Sequence, residues 1–471
     1  MKEKLNTALN QISDRHIEDA AKKRTPRRTF WFSAAAAVLA AVVLISALTG
    51  PMTIRAEALA EAGASRATPR PNRDDYKEWE DWDAAYEAYK AEDDHRREIK
   101  RAALDSLKGF FTEGSARFLS GADGNRLWSP VNAAIGLGAL TELTGGSSRK
   151  QLLDALGAKD MDSLRAQVSA LWESAYTDGQ NGREASRLAT SLWLEKGLNC
   201  SRETLDALSY HHYASVYRGD LGSGKINSAI GAWLNNNTGG LLKENAGNIQ
   251  LPEETVLALY STLFFQSKWV SEFNAANNKD GAFHAPGGDV TVIYMTKKLA
   301  MMYYYWGDTF SAVSLSLKNG SQMWFILPDE GCSIDTVLES GQYLDLLMPG
   351  QWENSKYMKV NLSVPKFDVT GTQNLKDGLM EMGITDVFSD TQADFSGITS
   401  QVPVYLTAAN QAVRVQVDEE GVKAAAYIEF PGAMSPAPPD EIIDFVLDRP
   451  FLFFVTKDNV PLFAGAVNQP Q

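Results

Sequence analysis

Few residues in this chain have the types and spacing that catalysis requires. The histidines form no H-E-x-x-H pair, which would place two zinc ligands on one helical face; they are His16, His95, His211, His212 and His284. The sequence also lacks the G-x-S-x-G turn of a serine nucleophile and the G-x-x-x-x-G-K-S/T loop that holds phosphates. Adjacent acids such as Glu419 and Glu420 are usually solvated surface. We therefore expect no enzyme, no cofactor and no metal site.

The stretch from Glu419 to Phe430 (EEGVKAAAYIEF) has the pattern of a strand. Successive side chains of a strand point to opposite faces of a sheet. One alternate set is entirely apolar, and consists of Val422, Ala424, Ala426, Ile428 and Phe430. The other set contains the charges, and consists of Lys423, Ala425, Tyr427, Glu429 and Pro431. The pattern predicts either an ordinary alanine-rich strand at a sheet edge or a segment that can enter a sheet.

The elements that must position this stretch are predicted to be helices first and strands later. Helical patterns cover residues 103–120, 129–157, 162–176, 202–212 and 225–244. Runs rich in β-branched and aromatic residues predict strands at Leu257–Gln266, Tyr303–Tyr305, Val313–Leu317, Gln322–Leu327, Tyr357–Val364, Val413–Val417 and Pro450–Val455. Helices and strands segregated in this way, without βαβ alternation, indicate an α+β fold with mostly antiparallel sheets.

The N-terminal region predicts a membrane anchor. Residues 29–50 contain no ionisable side chain, and the stretch from Phe30 to Leu48 is long and apolar enough to cross a bilayer as a helix. A basic cluster precedes it, formed by Lys22, Lys23, Arg24, Arg27 and Arg28. The positive-inside rule then leaves the N-terminus in the cytoplasm and places the body outside the cell. A cleaved secretory signal is the alternative, and it also exports the body.

The net charge argues against one class of partner, and the cysteine content limits the number of disulfides. The formal net charge of -14 argues against nucleic-acid binding, because the phosphate backbone selects basic surfaces. Cys200 and Cys332 could form at most one disulfide, and we expect both to be buried free thiols.

Three further segments flank the predicted membrane span. Residues 1–28 form the cytoplasmic tail on one side of it. On the other side, the proline-containing residues 51–73 are typical of a linker to the body. Residues 74–102 are acidic and predict a helix with one aromatic stripe, formed by Trp79, Trp82, Tyr86 and Tyr89. The stripe could dock a partner or a cell-wall polymer, but packing against the neighbouring domain is the commoner role. The main domain then spans residues 103–471.

A series of short strings resembles the landmarks of the serpin family in the family's order. They are Trp128–Gly157, Ser191–Leu198 (SLWLEKGL), Ile226–Gly240, Phe265–Phe273, Ile326–Glu330 (ILPDE), Val364–Phe367 (VPKF), Gly383–Phe388, Asp394–Ile398 (DFSGI) and Pro450–Val455 (PFLFFV). Each string is weak alone, but together they extend across the main domain. The resemblance implies a serpin fold of about eight to nine helices and three mostly antiparallel sheets with an exposed reactive loop. With the anchor, it suggests a membrane-anchored member of the bacterial type.

The resemblance also implies a mechanism for the alternating stretch. Its hinge corresponds to Glu419, Glu420, Gly421, Val422, Ala424, Ala425 and Ala426. A protease would cleave the loop near Met434-Ser435, and the loop would then insert into the central sheet and trap the acyl-enzyme. Ser435-Pro436 fits the family's hinge count better by one residue, but a proline after the cleaved bond resists most serine proteases. Met434 suits elastase-, chymotrypsin- or subtilisin-like pockets.

The family's shutter and breach positions, beneath and above the site of insertion, correspond to Ser129, Asn132, Ser261, Trp269 and Gln411. The sequence departs from the family in several places. Ser261 and Gln411 replace the family's asparagine and histidine, and can still hydrogen-bond. Bulky side chains at Tyr427, Ile428 and Phe430, with Pro431, could slow insertion.

Two functions therefore remain open at this stage. The first is a monomeric inhibitor of serine proteases, with cysteine proteases as alternative targets. The second is a serpin-fold binding or structural module that proteases cleave without being trapped.

Overall fold

The computed structural model describes residues 56–65, 68–121, 124–178, 184–198, 200–238, 249–347, 352–399, 404–407, 409–422 and 441–470. All of them belong to one compact unit, Thr53–Gln471. The predicted membrane span, residues 29–50, lies outside the described residues. Among the helices that are described, none is long and apolar enough to cross a bilayer.

The described residues contain nine α-helices. In chain order they are α1 (Trp79–Leu119), α2 (Pro130–Glu142), α3 (Gly146–Ala155), α4 (Met161–Ala175), α5 (Arg202–His211), α6 (Gly224–Asn237), α7 (Ile334–Ser340), α8 (Gln342–Leu347) and α9 (Lys376–Glu381). Local sequence explains several of their starts. Ser201 and Ser223 cap α5 and α6, and Asp160 with Ser163 forms a capping box at α4.

The described strands number sixteen and form three sheets. They are β1 (Glu57–Ala60), β2 (Arg126–Trp128), β3 (Ala185–Glu195), β4 (Ala214–Gly219), β5 (Leu257–Lys268), β6 (Lys279–Ala285), β7 (Gly288–Trp306), β8 (Phe310–Ser316), β9 (Ser321–Pro328), β10 (Ser355–Pro365), β11 (Phe367–Asn374), β12 (Asn410–Val417), β13 (Gly421–Val422), β14 (Ile442–Val446), β15 (Phe451–Lys457) and β16 (Val460–Val467).

The sheets are mostly antiparallel, as the sequence predicted. The five-stranded sheet has the order β1-β4-β3-β5-β13, and β11 pairs with β12 in a separate two-stranded sheet. The third sheet has the order β14-β10-β7-β8-β9-β15-β16-β2, with β6 paired to β7. Within the described part of the chain, only the β3–β4 and β10–β14 pairs are parallel. Helix α2 is wholly buried and contacts both β5 and β16, so it lies at the centre of the core.

The helical pattern predicted over residues 129–157 is two helices rather than one. The helix is interrupted before Gly145 and Gly146, and Gly146 has φ +48°, a conformation that glycine adopts readily. A Cβ atom on Gly145 would lie 2.3 Å from Ser396 Oγ, so the close approach of the DFSGI segment also requires glycine. The helix predicted at residue 103 instead begins at Trp79 and runs unbroken past residue 103.

The aromatic stripe of α1 is covered in part by the segment that precedes it. Trp82 stacks on Tyr86 at 5.2 Å, and its indole donates to the carbonyl oxygen of Pro71 at 3.4 Å. The guanidinium of Arg70 lies 5.4 Å from the centre of the Tyr86 ring, and that of Arg73 lies 5.1 Å from the Trp79 ring. The first three rings of the stripe therefore pack against the segment that precedes the helix, while Tyr89 lines a cleft together with Arg165 and Ser169 of α4.

Part of the segment expected to be a linker is structured. Strand β1 pairs antiparallel with β4, and Glu57 forms an ion pair with Arg218 at 2.7 Å. Strand β1 has only four residues, too few to show the alternation of polar and apolar side chains that reveals longer strands, so the sequence did not predict it. Cys200 and Cys332 are both free, as expected, but each is half-buried rather than buried.

Candidate functional site

The described part of the hinge, residues 419–422, follows β12 and Asp418, and its last two residues pair with the end of β5. Gly421 pairs with Lys268 and Val422 pairs with Ser267 in antiparallel register. The Val422 side chain is only 3% exposed and belongs to the main hydrophobic core. The first apolar side chain of the alternating stretch is therefore already inside the sheet.

Backbone hydrogen bonds hold the hinge against the residues that follow β5. The Trp269 amide donates to the carbonyl oxygen of Glu420 at 3.1 Å, and the Phe273 amide donates to that of Glu419 at 2.9 Å. The indole Nε1 of Trp269 donates to the carbonyl oxygen of Asp418 at 2.9 Å. The carbonyl oxygens of Asp418, Glu419 and Glu420 thus all accept from this segment, so Trp269 lies beside the start of the hinge.

Asp418 shapes the turn from which β13 begins. Its Oδ1 accepts from the amides of Glu420 at 2.9 Å and Gly421 at 3.2 Å, and its own amide donates to the Gly421 carbonyl oxygen at 3.1 Å. A Cβ atom on Gly421 would lie 2.4 Å from the Cα atom of Lys268. Glycine at this position therefore allows the hinge backbone to approach β5 closely enough to pair.

Lysines neutralise the two hinge glutamates. Lys366 lies 2.5 Å from Glu419, and Lys268, almost fully buried, lies 3.5 Å from Glu420. Burial alone would raise the pKa of Glu419, but hydrogen bonds from Lys366 and Asn278, with the lysine charge, lower it below its ordinary value. Glu419, whose side chain is 16% exposed, is therefore a structural anchor in this conformation, whereas the Glu420 side chain remains 60% exposed beside Lys268.

The shutter residues meet at the start of α2. Gln411 accepts from the Ser129 amide at 2.7 Å and donates to the Ser129 carbonyl oxygen at 3.1 Å. Ser261 donates to Asn132 Oδ1 at 2.5 Å. The structure thus brings together four predicted residues, but Ser261 on β5 and Gln411 on β12 each bond to α2, and no hydrogen bond joins the two directly among the described side chains.

An apolar cleft lies between these two strands, above α2. Below Val422, β5 has no strand partner on its β13 side within the described residues, and β12 pairs only with β11 there. Side chains of β5, of α2 and of the segments around α9 and β12 line the cleft; they include Leu259, Ser261, Leu137, Leu140, Leu379, Phe388, Leu406 and Gln411. The arrangement provides an unpaired strand edge and an apolar floor.

The rest of the predicted site cannot be placed. Ala424, Ala425, Ala426, Met434 and Ser435 lie outside the described residues. Sequence reasoning missed the contributions of Asp418, Lys268 and Lys366. Asp418 carried a usable signal, because aspartate three residues before glycine is typical of a turn. Lys366 lay in the VPKF string, whose pattern does not reveal an ionic partner.

Among the described residues, no group of histidine, cysteine, aspartate and glutamate side chains could hold a metal ion. The site's chemistry is that of strand pairing, with hydrogen-bonded and ionic anchors at one end of a cleft.

Comparisons with known proteins agree with this architecture. A family model described as "Serpin (serine protease inhibitor)" matches residues 115–470. Alpha-1-antitrypsin of Meriones unguiculatus is 26% identical over 397 residues, which cover 82% of this chain and 94% of that protein. Human neuroserpin is 27% identical over 374 residues, which cover 75% of this chain and 88% of the relative.

Two solved structures show the same fold. The thermophilic serpin tengpin in its native state superposes with a TM-score of 0.68 at 22% identity, covering 78% of this chain and 94% of tengpin. Human thyroxine-binding globulin in complex with thyroxine gives 0.67 at 22% identity, covering 79% and 100%. The matching family model describes serine protease inhibitors, which are not enzymes. Because the family model covers most of its length, the chain belongs to the serpin family.

Proposed function

We propose that the chain inhibits serine proteases as a suicide substrate. The protease cleaves the loop near Met434-Ser435, and its serine becomes acylated by the carbonyl of the residue before the cut, as the new amino terminus leaves. The loop then enters the cleft between β5 and β12 as a new strand and carries the acyl-enzyme with it before water can hydrolyse the ester.

The observation that carries this proposal is the buried pairing of Val422 with Ser267. If the register continues, Ala424 lies opposite Phe265, Ala426 opposite Leu263, Ile428 opposite Ser261 and Phe430 opposite Leu259. Ser261 and Leu259 line the apolar cleft. In that register the entire apolar set would face the core, and burying Ile428 and Phe430 would contribute about 1.5 to 3 kcal/mol each.

In the same register the set that contains the charges would face the opposite side of the sheet. On β5, the side chains that alternate with Ser261 include Tyr260, which packs against an apolar cluster that contains Trp233 of α6. Lys423 and Glu429 would point to that outer side, where Lys423 can extend its charge into water. The bulky side chains of Ile428 and Phe430 could slow insertion. In this register they would lie opposite Ser261 and Leu259, which line the cleft, so the cleft provides space for them.

A matched pair of variants tests insertion. Ala424→Arg places a charge on the core-facing side, while Ala425→Arg places the same charge one residue later on the outer face. The full-length chain, kept in mild detergent, is mixed with subtilisin or pancreatic elastase and run on a denaturing gel. We expect a covalent band for the natural chain and for Ala425→Arg, and only cleaved product for Ala424→Arg.

A covalent band for neither protease, with full cleavage, would instead favour the second function, a module cleaved as a plain substrate. The bulky residues Tyr427, Ile428 and Phe430, with Pro431, are the observation that favours this alternative. A complex only with trypsin-like enzymes would contradict the assignment of Met434 as the recognised residue, because such enzymes require lysine or arginine there.

We also propose that residues 29–50 hold the inhibitor at the outer surface of the cell membrane. The uncharged stretch and the basic cluster before it support this location. Separation of membranes from soluble protein tests it: replacing Leu44 and Val42 by aspartate should release the chain from the membrane fraction if the stretch is retained as an anchor.

A further inference from the structure

Two exposed tyrosines, a half-buried tyrosine and an exposed isoleucine lie at one end of the large sheet. We call Tyr303, Tyr305, Tyr357 and Ile442 the tyrosine face. The Tyr303 ring lies 5.2 Å from the Tyr357 ring and 6.0 Å from the Tyr305 ring. Tyr303 is 53% exposed, Tyr357 40% and Ile442 54%. Exposed tyrosines of this kind are enriched at protein–protein contacts, because they bury a large area at a low entropy cost.

Strand register places all four side chains on one side of the sheet. Tyr357 pairs with Tyr303, and Lys359, two residues further along β10, pairs with Ile442 of β14. Residues paired across strands share a face, as do residues two apart on one strand. The four side chains therefore share one side of the sheet across β7, β10 and β14, with Lys359 between Tyr357 and Ile442.

The reactive loop returns to the body beside this surface. Strands β10 and β14 run parallel, so the chain before Ile442 leaves the sheet at the end where Ser355 and Tyr357 begin β10. Glu441 forms an ion pair with Lys356, the residue next to Tyr357. This ion pair fixes the point where the loop joins the described structure.

Chain length then limits where a bound protease can be. Five residues lie between Ser435 and Glu441, so the six steps from one Cα atom to the next, at about 3.5 Å each, span at most about 20 Å. A protease domain of about 230 residues has a radius of gyration of about 17 Å, comparable with that reach. A protease attached to the loop thus has its body within contact distance of this end of the sheet.

We propose that the tyrosine face is a second contact surface for the protease that attacks the loop. This proposal rests on the proposed function for the position of the cleaved bond, but it concerns how fast the protease is captured rather than whether it is trapped. Contacts made before cleavage raise the rate of productive encounter, whereas trapping depends on insertion between β5 and β12.

The test is the second-order rate at which subtilisin and pancreatic elastase consume the intact full-length chain. The variants are Tyr303→Ala, Tyr357→Ala and both together. Ile293→Ala is the matched control, because Ile293 is also exposed on β7 but lies ten residues from Tyr303, about 33 Å along an extended strand. Thermal melting verifies that each variant is folded.

We expect the double variant to lower the rate about tenfold with at least one of the two proteases, and the control to stay within about twofold. The share of attacks that end in a covalent band should not change. Cleavage without any covalent band, but with the same loss of rate, would refute the inhibitory function and support this surface. Rates within about twofold for both proteases would overturn the proposal, as would a dimer in sedimentation that Tyr303→Ala dissociates, because a second copy would then cover the face.

Discussion

The indole of Trp269 donates a hydrogen bond of 2.9 Å to the main-chain carbonyl oxygen of Asp418, directly above the gap between β5 and β12. Trp269 follows β5, the strand beside which the loop would insert, and Asp418 follows β12, from which the loop departs. The hydrogen bond therefore links these two segments. It is one of three bonds that link the hinge carbonyls to residues 269–273. These bonds fix the position of the hinge at the upper end of the cleft, where Val422 already pairs with β5.

Replacing Trp269 by phenylalanine should loosen the hinge. Trp269→Phe keeps an aromatic ring in the core but removes the bond to Asp418, so we expect a loss of about 1 kcal/mol in the free energy of unfolding. Amide hydrogen exchange at Glu420 and Gly421 should become faster. Trp324→Phe removes an indole bond of 3.2 Å to Thr456 far from the hinge, and should leave hinge exchange unchanged. Equal exchange in both variants would contradict the anchoring role.

Gly421→Ala should expel Val422 from the sheet. The added methyl group would lie 2.4 Å from the Lys268 Cα atom, closer than real carbon atoms approach. We expect a cost of about 1 to 3 kcal/mol and greater exposure of Val422. Mass-spectrometric footprinting of the hinge can measure that exposure, with Gly287→Ala as control, because a Cβ atom there has open space. An unchanged footprint would show that the hinge tolerates the methyl group.

Gln411→Ala should destabilise the closed arrangement of the shutter. The buried amide and carbonyl of Ser129 would both lose their Gln411 partner. Leaving such groups unpaired costs about 1 to 3 kcal/mol each, so we expect urea unfolding to show a loss of at least about 2 kcal/mol. Gln469→Ala, at the exposed end of the chain, should cost less than about 0.5 kcal/mol. A similarly small loss for Gln411→Ala would mean that water replaces the lost bonds.

Glu142 should make the protein sensitive to acid. Burial raises the pKa of Glu142, but the hydrogen bonds and charges of His212 and Arg165 outweigh burial and lower the pKa to about 2. The ionised form is therefore stabilising above about pH 4.5, and this contribution disappears as the pH falls toward 2.

Between about pH 7 and about pH 3 this single group should account for about 2 kcal/mol of lost stability. Glu142→Gln should remove that part of the pH dependence in urea unfolding, although it lowers stability at neutral pH. Glu254→Gln, an exposed control, should keep the natural slope. Parallel pH curves for the natural chain and Glu142→Gln would contradict the assignment.

Sequence periodicity anticipated the long elements because their patterns extend over many residues. The strand β5 and the helix α4 were predicted within about two residues at each end. The strand β1 was missed because four residues cannot show alternation, and its pairing with β4 depends on a partner about 160 residues away. The break between α2 and α3 was missed although the Gly145-Gly146 dipeptide is a local turn signal, because the helical periodicity on both sides was followed through it.

The site was predictable to a similar degree. The resemblance proposed Trp269, Ser129, Asn132, Ser261 and Gln411 as shutter and breach positions, and their roles stay a prediction. In the structure Asn132, Ser261 and Gln411 line the cleft, Ser129 bonds to Gln411, and Trp269 bonds to Asp418 beside the hinge. What the sequence did not reveal is which side chains bond to which. Ser261 and Gln411 seemed able to bond to each other, but Ser261 bonds to Asn132 of α2 and Gln411 bonds to the main chain of Ser129, which precedes α2. Such pairings follow from tertiary positions rather than from spacing along the chain.

The melting temperature of the cleaved chain tests the central claim most directly. The loop is cut near Met434 by a small amount of protease, the protease is removed, and cut and intact chains are melted side by side. Insertion would bury Ile428 and Phe430 and form up to ten backbone hydrogen bonds, of order 10 kcal/mol, so we expect the melting temperature to rise by about 20 °C. Ala424→Arg should show little rise. If the cut natural chain melts no higher than the intact chain, the loop does not enter the sheet, and inhibition by insertion is contradicted.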